Sequence, residues 1–238
     1  MQTRDVDYGS GEVNLRGHLV WDETVTARRP GLLVFHEGLG LGDFAMARAR
    51  MMAELGYVAF AADMFGDRRQ ARNLQEVANL VGALRAEPEK LRARGRMALA
   101  ALAGLPQVDA TRLAAIGFCF GGSVVLELAR EGADLRAVVS FHGVLSTKMP
   151  AELKSVKASV LVCTGADDPL APPDQVAAFE NEMRAAKVQD WQVISYGNTL
   201  HGFTNPAADG SMMRSAMYSA QADRRSWAAM KALFDEVL

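Results

Sequence analysis

Cysteine is almost missing from this chain: Cys119 and Cys163 are the only two among 238 residues. That count excludes a disulfide framework, and two thiols alone do not make a structural zinc site. Reduced thiols suit a cytoplasmic compartment. An excess of either charge is missing as well. Lys and Arg total 26 against 28 Asp and Glu, a net charge of −2. The basic stretches Arg68–Arg72 and Arg92–Arg96 have Asp67, Glu76, Glu87 and Glu89 beside them, so they read as solvated helix faces. No nucleic-acid partner is expected on that balance. No apolar run approaches the roughly 18 residues of a membrane span, and Met1–Asp5 has no apolar leader segment. A soluble, cytoplasmic protein without a membrane partner is expected. Internal repeats, low-complexity tracts and linker-like stretches are missing too, which leaves one domain over residues 1–238.

What is present is a regular alternation of strand and helix patterns. Val13, Leu15, Gly17, Leu19 and Trp21 alternate with Asn14, Arg16 and His18. This period of two predicts an antiparallel hairpin, with strands over Thr3–Tyr8 and Glu12–Trp21 around Gly9-Ser10-Gly11. Arg28-Arg29-Pro30 reads as a loop. Gly31–Phe35, Tyr57–Ala62, Leu113–Ile116, Leu135–Phe141, Ala158–Thr164 and Trp191–Tyr196 are continuous apolar strand runs, as expected where both sheet faces are covered. Helices are predicted over Asp43–Leu55 with Asp43 as N-cap, then over Asn73–Arg85, Pro88–Leu105, Ser123–Arg130, Pro173–Lys187 and Ser215–Leu238. The result is a mostly parallel central sheet with helices on both faces and an N-terminal antiparallel hairpin. The Ala61–Arg72 connection is long enough to help shape a site.

The most informative run is Gly117-Phe118-Cys119-Phe120-Gly121-Gly122, set between an apolar strand and a helix. It reads as a nucleophile elbow with cysteine at its tip. Such a turn holds its reactive residue in a strained conformation and needs small flanking residues where strand and helix approach. A thiol has a pKa near 8.5, so it needs a base, and the base needs an orienting acid. The order nucleophile, acid, histidine is met by Cys119, then Asp167 or Asp168 after the Ala158–Thr164 strand, then His201 after the last strand. Loops at the carboxyl ends of parallel strands converge on one crevice. The first apolar strand is followed by His36-Glu37-Gly38-Leu39-Gly40, whose Gly38 amide, with that of Phe120, is placed to form an oxyanion hole. Glu37 puts a carboxylate beside the thiol and would oppose thiolate formation, protecting it from oxidation. Cys163 reads as a small core residue and His142 as a supporting one.

The elbow, the Glu37 loop, Gly56–Gly66, Gly165–Asp168 and His201-Gly202-Phe203 together resemble the dienelactone hydrolase family, a cysteine-using branch of the α/β-hydrolases. The resemblance extends from about residue 10 to the end. It implies an α/β-hydrolase fold, a Cys119–His201–Asp168 triad with Asp168 preferred over Asp167, and a Glu37 that holds the resting thiol. It implies a small-molecule ester or lactone substrate, such as the enol-lactone that the family opens to maleylacetate (carboxymethylenebutenolidase activity), and no metal or organic cofactor. Where family members carry an arginine for the substrate carboxylate, this chain has Asn205, leaving Arg68, Arg69 or Arg72 to supply a cation. A thioesterase or general carboxylesterase shares the same machinery, and a hydrolase-fold protein that only binds a ligand is the reading from another class.

Overall fold

The order of elements follows the alternation read from the sequence. In the computed structural model, which describes residues 1–9 and 13–238, eight strands form one sheet. They are β1 (Gln2–Asp7), β2 (Arg16–Trp21), β3 (Arg29–Phe35), β4 (Val58–Ala62), β5 (Val108–Phe118), β6 (Ala137–Phe141), β7 (Ser159–Gly165) and β8 (Trp191–Tyr196). Their spatial order is β1-β2-β4-β3-β5-β6-β7-β8. The β1/β2 hairpin joins antiparallel through β2 against β4, and all other pairings are parallel. Ser10, Gly11 and Glu12, assigned to the hairpin from the sequence, lie outside the described residues.

Among the described residues six helices cover the two faces: α1 (Asp43–Glu54), α2 (Leu74–Ala86), α3 (Pro88–Ala103), α4 (Phe120–Arg130), α5 (Pro173–Ala185) and α6 (Ala220–Val237). One core packs α1 and α6 against the sheet through Ala45, Ala49, Met52, Met230 and Phe234. The other packs α2 to α5 through Leu84, Leu102, Val124, Leu128 and Phe179. This double covering explains the fully apolar central strands: β4 is buried at every position. The same holds for α4, buried along its whole length. Among the described residues no helix is long and apolar enough to cross a membrane.

Three local differences from the sequence reading have physical causes. The N-cap of α1 is Gly42, and Asp43 is the first helical residue, where its charge still favours the helix N-terminus. Strand β3 begins at Arg29 and includes Pro30, but the ladder to β5 shifts between Pro30 and Gly31, as expected where an N–H is missing. The last helix starts at Ala220 rather than Ser215, with Ser219 as its N-cap. Residues 215–219 are bonded elsewhere: Ser215 O accepts from His201 N at 2.9 Å, Met217 N donates to His201 O at 2.9 Å, and Ser219 N donates to Phe203 O at 3.1 Å. The segment before α6 therefore pins the backbone that carries His201.

Candidate active site

The turn between β5 and α4 is built by close approach. A side-chain carbon on Gly117 would sit 2.0 Å from Gly121 O, one on Gly121 2.3 Å from Phe35 O, and one on Gly122 2.6 Å from Ser140 Oγ. Cβ atoms do not tolerate such distances, so these positions demand glycine. The turn holds Cys119 at φ 52° and ψ −111°, a conformation L-residues avoid and one that costs about 1–3 kcal/mol. Its amide is anchored twice, to Phe141 O at 3.0 Å and to His142 Nδ1 at 3.1 Å. The thiol is partly exposed at the N-terminal end of α4.

His142 therefore does more than end β6. Nδ1 accepts from Cys119 N, so the proton sits on Nε2, which donates to Thr204 Oγ1 at 2.8 Å. The ring is completely buried and stands edge-on to the His201 ring, with centroids 5.2 Å apart. Burial, then the charges of His201 and Arg48, hold its pKa well below the ordinary value, keeping it neutral. One neutral imidazole thus links the Cys119 backbone to the loop after His201. The signal for it in the sequence is a polar residue at the carboxyl end of the strand next to β5.

His201 Nδ1 lies 2.8 Å from Asp168 Oδ2. The side chain of Asp168 is fully buried and its Oδ1 accepts from Leu170 N at 2.8 Å, whereas Asp167 is exposed. Geometry therefore brings Asp168, not Asp167, to the imidazole. His201 Nε2 is buried without a hydrogen-bond partner among the described residues. Burial works against a charged imidazole here, but once Cys119 carries a negative charge, that charge and the Asp168 hydrogen bond outweigh it and raise the His201 pKa to about 10. Nε2 is thus left for Cys119, whose charge and hydrogen bonding favour the protonated ring.

Glu37 reaches the same place from the β3–α1 loop and accepts from Asn205 Nδ2 at 2.6 Å. Burial raises its pKa, opposed by the Asn205 hydrogen bond and by the charges of His201 and Arg48. The loop is held from below by buried His36, whose Nδ1 lies 2.6 Å from Glu37 O and whose Nε2 accepts from Met64 N at 3.1 Å. Neither Gly38 N nor Phe120 N donates to a protein acceptor among the described residues, as expected for the first amide of a helix in the case of Phe120. Val77 of α2 closes over Gly38, 2.8 Å from where a Cβ would stand.

These groups open into a pocket of about 330 Å³. Cys119, His201, Glu37 and Asn205 line its base, and Leu39, Leu74, Val77, Leu170, Met212 and Met213 give it an apolar wall. Among the described residues no Lys or Arg lines it. Arg68 bonds Asp5 at 2.8 Å, Arg72 pairs with Glu76 at 2.8 Å, and Arg69 is exposed. The long connection after β4 does not line this pocket either. Asp63 folds it back by accepting from the amides of Phe65 (2.9 Å), Gly66 (3.0 Å) and Arg68 (2.9 Å), and Phe65 stacks on Phe120. Cys163 lies in the core, where burial pushes its thiol up to about 12. No group of three or more His, Cys, Asp or Glu among the described residues is arranged to hold a metal ion.

Sheet, elbow and crevice define an α/β-hydrolase. The model of the dienelactone hydrolase family matches residues 15–238, and the chain belongs to that family, a family of hydrolases. Two solved structures resemble it over nearly their whole length. One, named m3DLH, is 44% identical with a TM-score of 0.95, covering 100% of this chain and 98% of that one. The other, a dienelactone hydrolase-like promiscuous phosphotriesterase from metagenomic libraries, is 44% identical with a TM-score of 0.94, covering 99% and 98%. The Caenorhabditis elegans protein K02A2.1 is 41% identical over 143 residues, 59% of this chain and 89% of that protein.

Proposed function

We propose that the protein hydrolyses uncharged esters or lactones through a covalent acyl-enzyme. Cys119 Sγ attacks the carbonyl carbon while His201 Nε2 takes the thiol proton. Asp168 fixes the proton of the resting imidazole on Nδ1 and stabilises the imidazolium. The unengaged amides of Phe120 and Gly38 receive the oxyanion. The imidazolium then protonates the leaving alkoxide, water activated by His201 attacks the thioester, and the thiol is released with the acid. Glu37 stands beside this path. Its carboxylate disfavours a thiolate at rest, and its raised pKa lets it take a proton when the site becomes more negative.

The observation that carries the reading is a buried imidazole bonded to Asp168 on one nitrogen and free on the other, beside a thiol at the tip of a strained turn. The lining of the pocket supports the substrate class. Glu37 and Asp209 contribute acids and, among the described residues, no lining side chain contributes a permanent cation, so a substrate carboxylate would be unpaired there. The likeness to a phosphotriesterase supports a second use of the same thiol, because phosphotriesters are also uncharged and also place negative charge on one oxygen during attack.

A panel of uncharged lactones, aryl esters, thioesters and a phosphotriester, with dienelactone as the anionic member, tests this by kcat/KM. Turnover of uncharged members, lost in a folded Cys119→Ala variant, is expected. Turnover that survives in Cys119→Ala removes the thiol mechanism. An inert panel together with an unreactive Cys119 identifies a binding protein.

A further inference from the structure

A second crevice, of about 350 Å³, lies between the end of α2, the start of α3, α4 and the loop after β6. Cys119 does not line it, but Ser123, one helical turn along α4, does. Its base holds Glu127, a buried carboxylate whose two oxygens are already committed. Oε2 pairs with Arg92 at 2.8 Å and Oε1 with Arg130 at 3.1 Å. Glu182 is occupied too, by Arg130 through both oxygens at 2.8 and 2.9 Å.

Two further cations face this crevice without a carboxylate within 4 Å among the described residues. Arg85 is half-buried, and its Nη2 donates only to Ser146 Oγ, at 3.2 Å. Lys148 Nζ reaches only Ala86 O, at 3.4 Å. Burial works most against the charge of Arg85; Cys119 and Glu127 favour it, and Arg130 opposes it. A partly buried guanidinium with no carboxylate in direct contact gains from a ligand that supplies one. The volume is that of a ligand pocket rather than a packing defect.

We propose that this crevice binds a small oxyanion, a carboxylate or phosphate group, between Arg85 and Lys148, separately from the pocket that holds Cys119. The planar guanidinium offers a two-pronged contact, Lys148 a mobile point charge, and Ser146 a hydroxyl already oriented by Arg85. Anion binding here does not depend on the hydrolase mechanism.

Calorimetric titration with inorganic phosphate and with succinate tests it on the full chain, in wild type, Cys119→Ala, Arg85→Gln and Arg85→Gln/Lys148→Gln. Saturable binding is expected in wild type and in Cys119→Ala, at least about tenfold weaker in Arg85→Gln and lost in the double variant. Whichever anion binds identifies the group. A lack of saturable binding of both anions in the millimolar range overturns the proposal, as does an affinity unchanged in a folded double variant.

Discussion

Replacing Asp168 with asparagine is the sharpest test of the site, because the surroundings dictate which way the amide turns. Asp168 uses one oxygen for Leu170 N and the other for His201 Nδ1, both at 2.8 Å, in a fully buried position. Asparagine has only one oxygen. If it faces His201, its NH2 meets the part-buried Leu170 N–H, leaving two opposed donors at a cost of about 1 kcal/mol. The favoured orientation keeps oxygen on Leu170 and turns NH2 toward Nδ1. Nδ1 must then accept, so the imidazole proton moves to Nε2, where it blocks transfer from Cys119. Wrong-tautomer variants of such triads lose about 10⁴-fold in rate, equivalent to about 5 kcal/mol of transition-state stabilisation. We therefore expect kcat/KM on a small activated ester to fall by about 10³–10⁴, with the loss in kcat and not KM and the thermal transition still cooperative. A loss below about tenfold in a folded variant would show that Asp168 does not set the imidazole proton.

Three further outcomes follow from the same geometry. Cys119→Gly should be more stable than Cys119→Ala by about 1 kcal/mol in denaturant unfolding, reversing the usual order, because only glycine relaxes at this φ; the ordinary order would show that the turn is not strained. The rise of the His201 pKa to about 10, against its burial, belongs to the imidazolium facing a Cys119 thiolate and Asp168, the state reached once the thiol proton has crossed, so the ring should titrate lower in Cys119→Ala than in wild type by NMR. A ring midpoint unmoved by Cys119→Ala breaks the coupling. Glu37→Gln should speed iodoacetamide alkylation of Cys119 several-fold near neutral pH by removing a charge that opposes thiolate; an unchanged or slower rate would show that Glu37 does not restrain the thiol.

The backbone of this site was legible in the sequence where the cause is local. The glycines around Cys119 mark the turn because strand and helix touch there, at contacts of 2.0–2.6 Å for any added Cβ. Strand ends bring Asp168 and His201 to the crevice because the sheet is parallel. What could not be read depends on partners far along the chain. Asp167 and Asp168 are equivalent by position in their loop; the family resemblance favours Asp168, and burial gives the physical reason. Asn205 meets Glu37 across 168 positions, and Arg68 turns away to Asp5 across 63. The Ser215–Ser219 segment looks helical but is claimed by the backbone of the His201 loop.

In the mechanism proposed above, the Glu37–Asn205 pair ties substrate choice to thiol protonation. A cation at position 205 would neutralise Glu37 and leave room for an anionic substrate. Asparagine donates a hydrogen bond without a charge, so Glu37 is stabilised only partly against its burial. Any negative charge arriving in the pocket then meets Glu37 and Asp209 with no permanent cation in the lining. At a separation near 4 Å that repulsion is worth about 1 kcal/mol in a water-like medium and about 4 kcal/mol at a protein surface, or roughly 5-fold to 1000-fold in kcat/KM against an uncharged analogue. Glu37 can relieve part of it by taking a proton, but a thiolate at Cys119 draws on the same relief. On the proposed mechanism, the substrate that leaves Glu37 free to serve the thiol is one that brings no charge of its own.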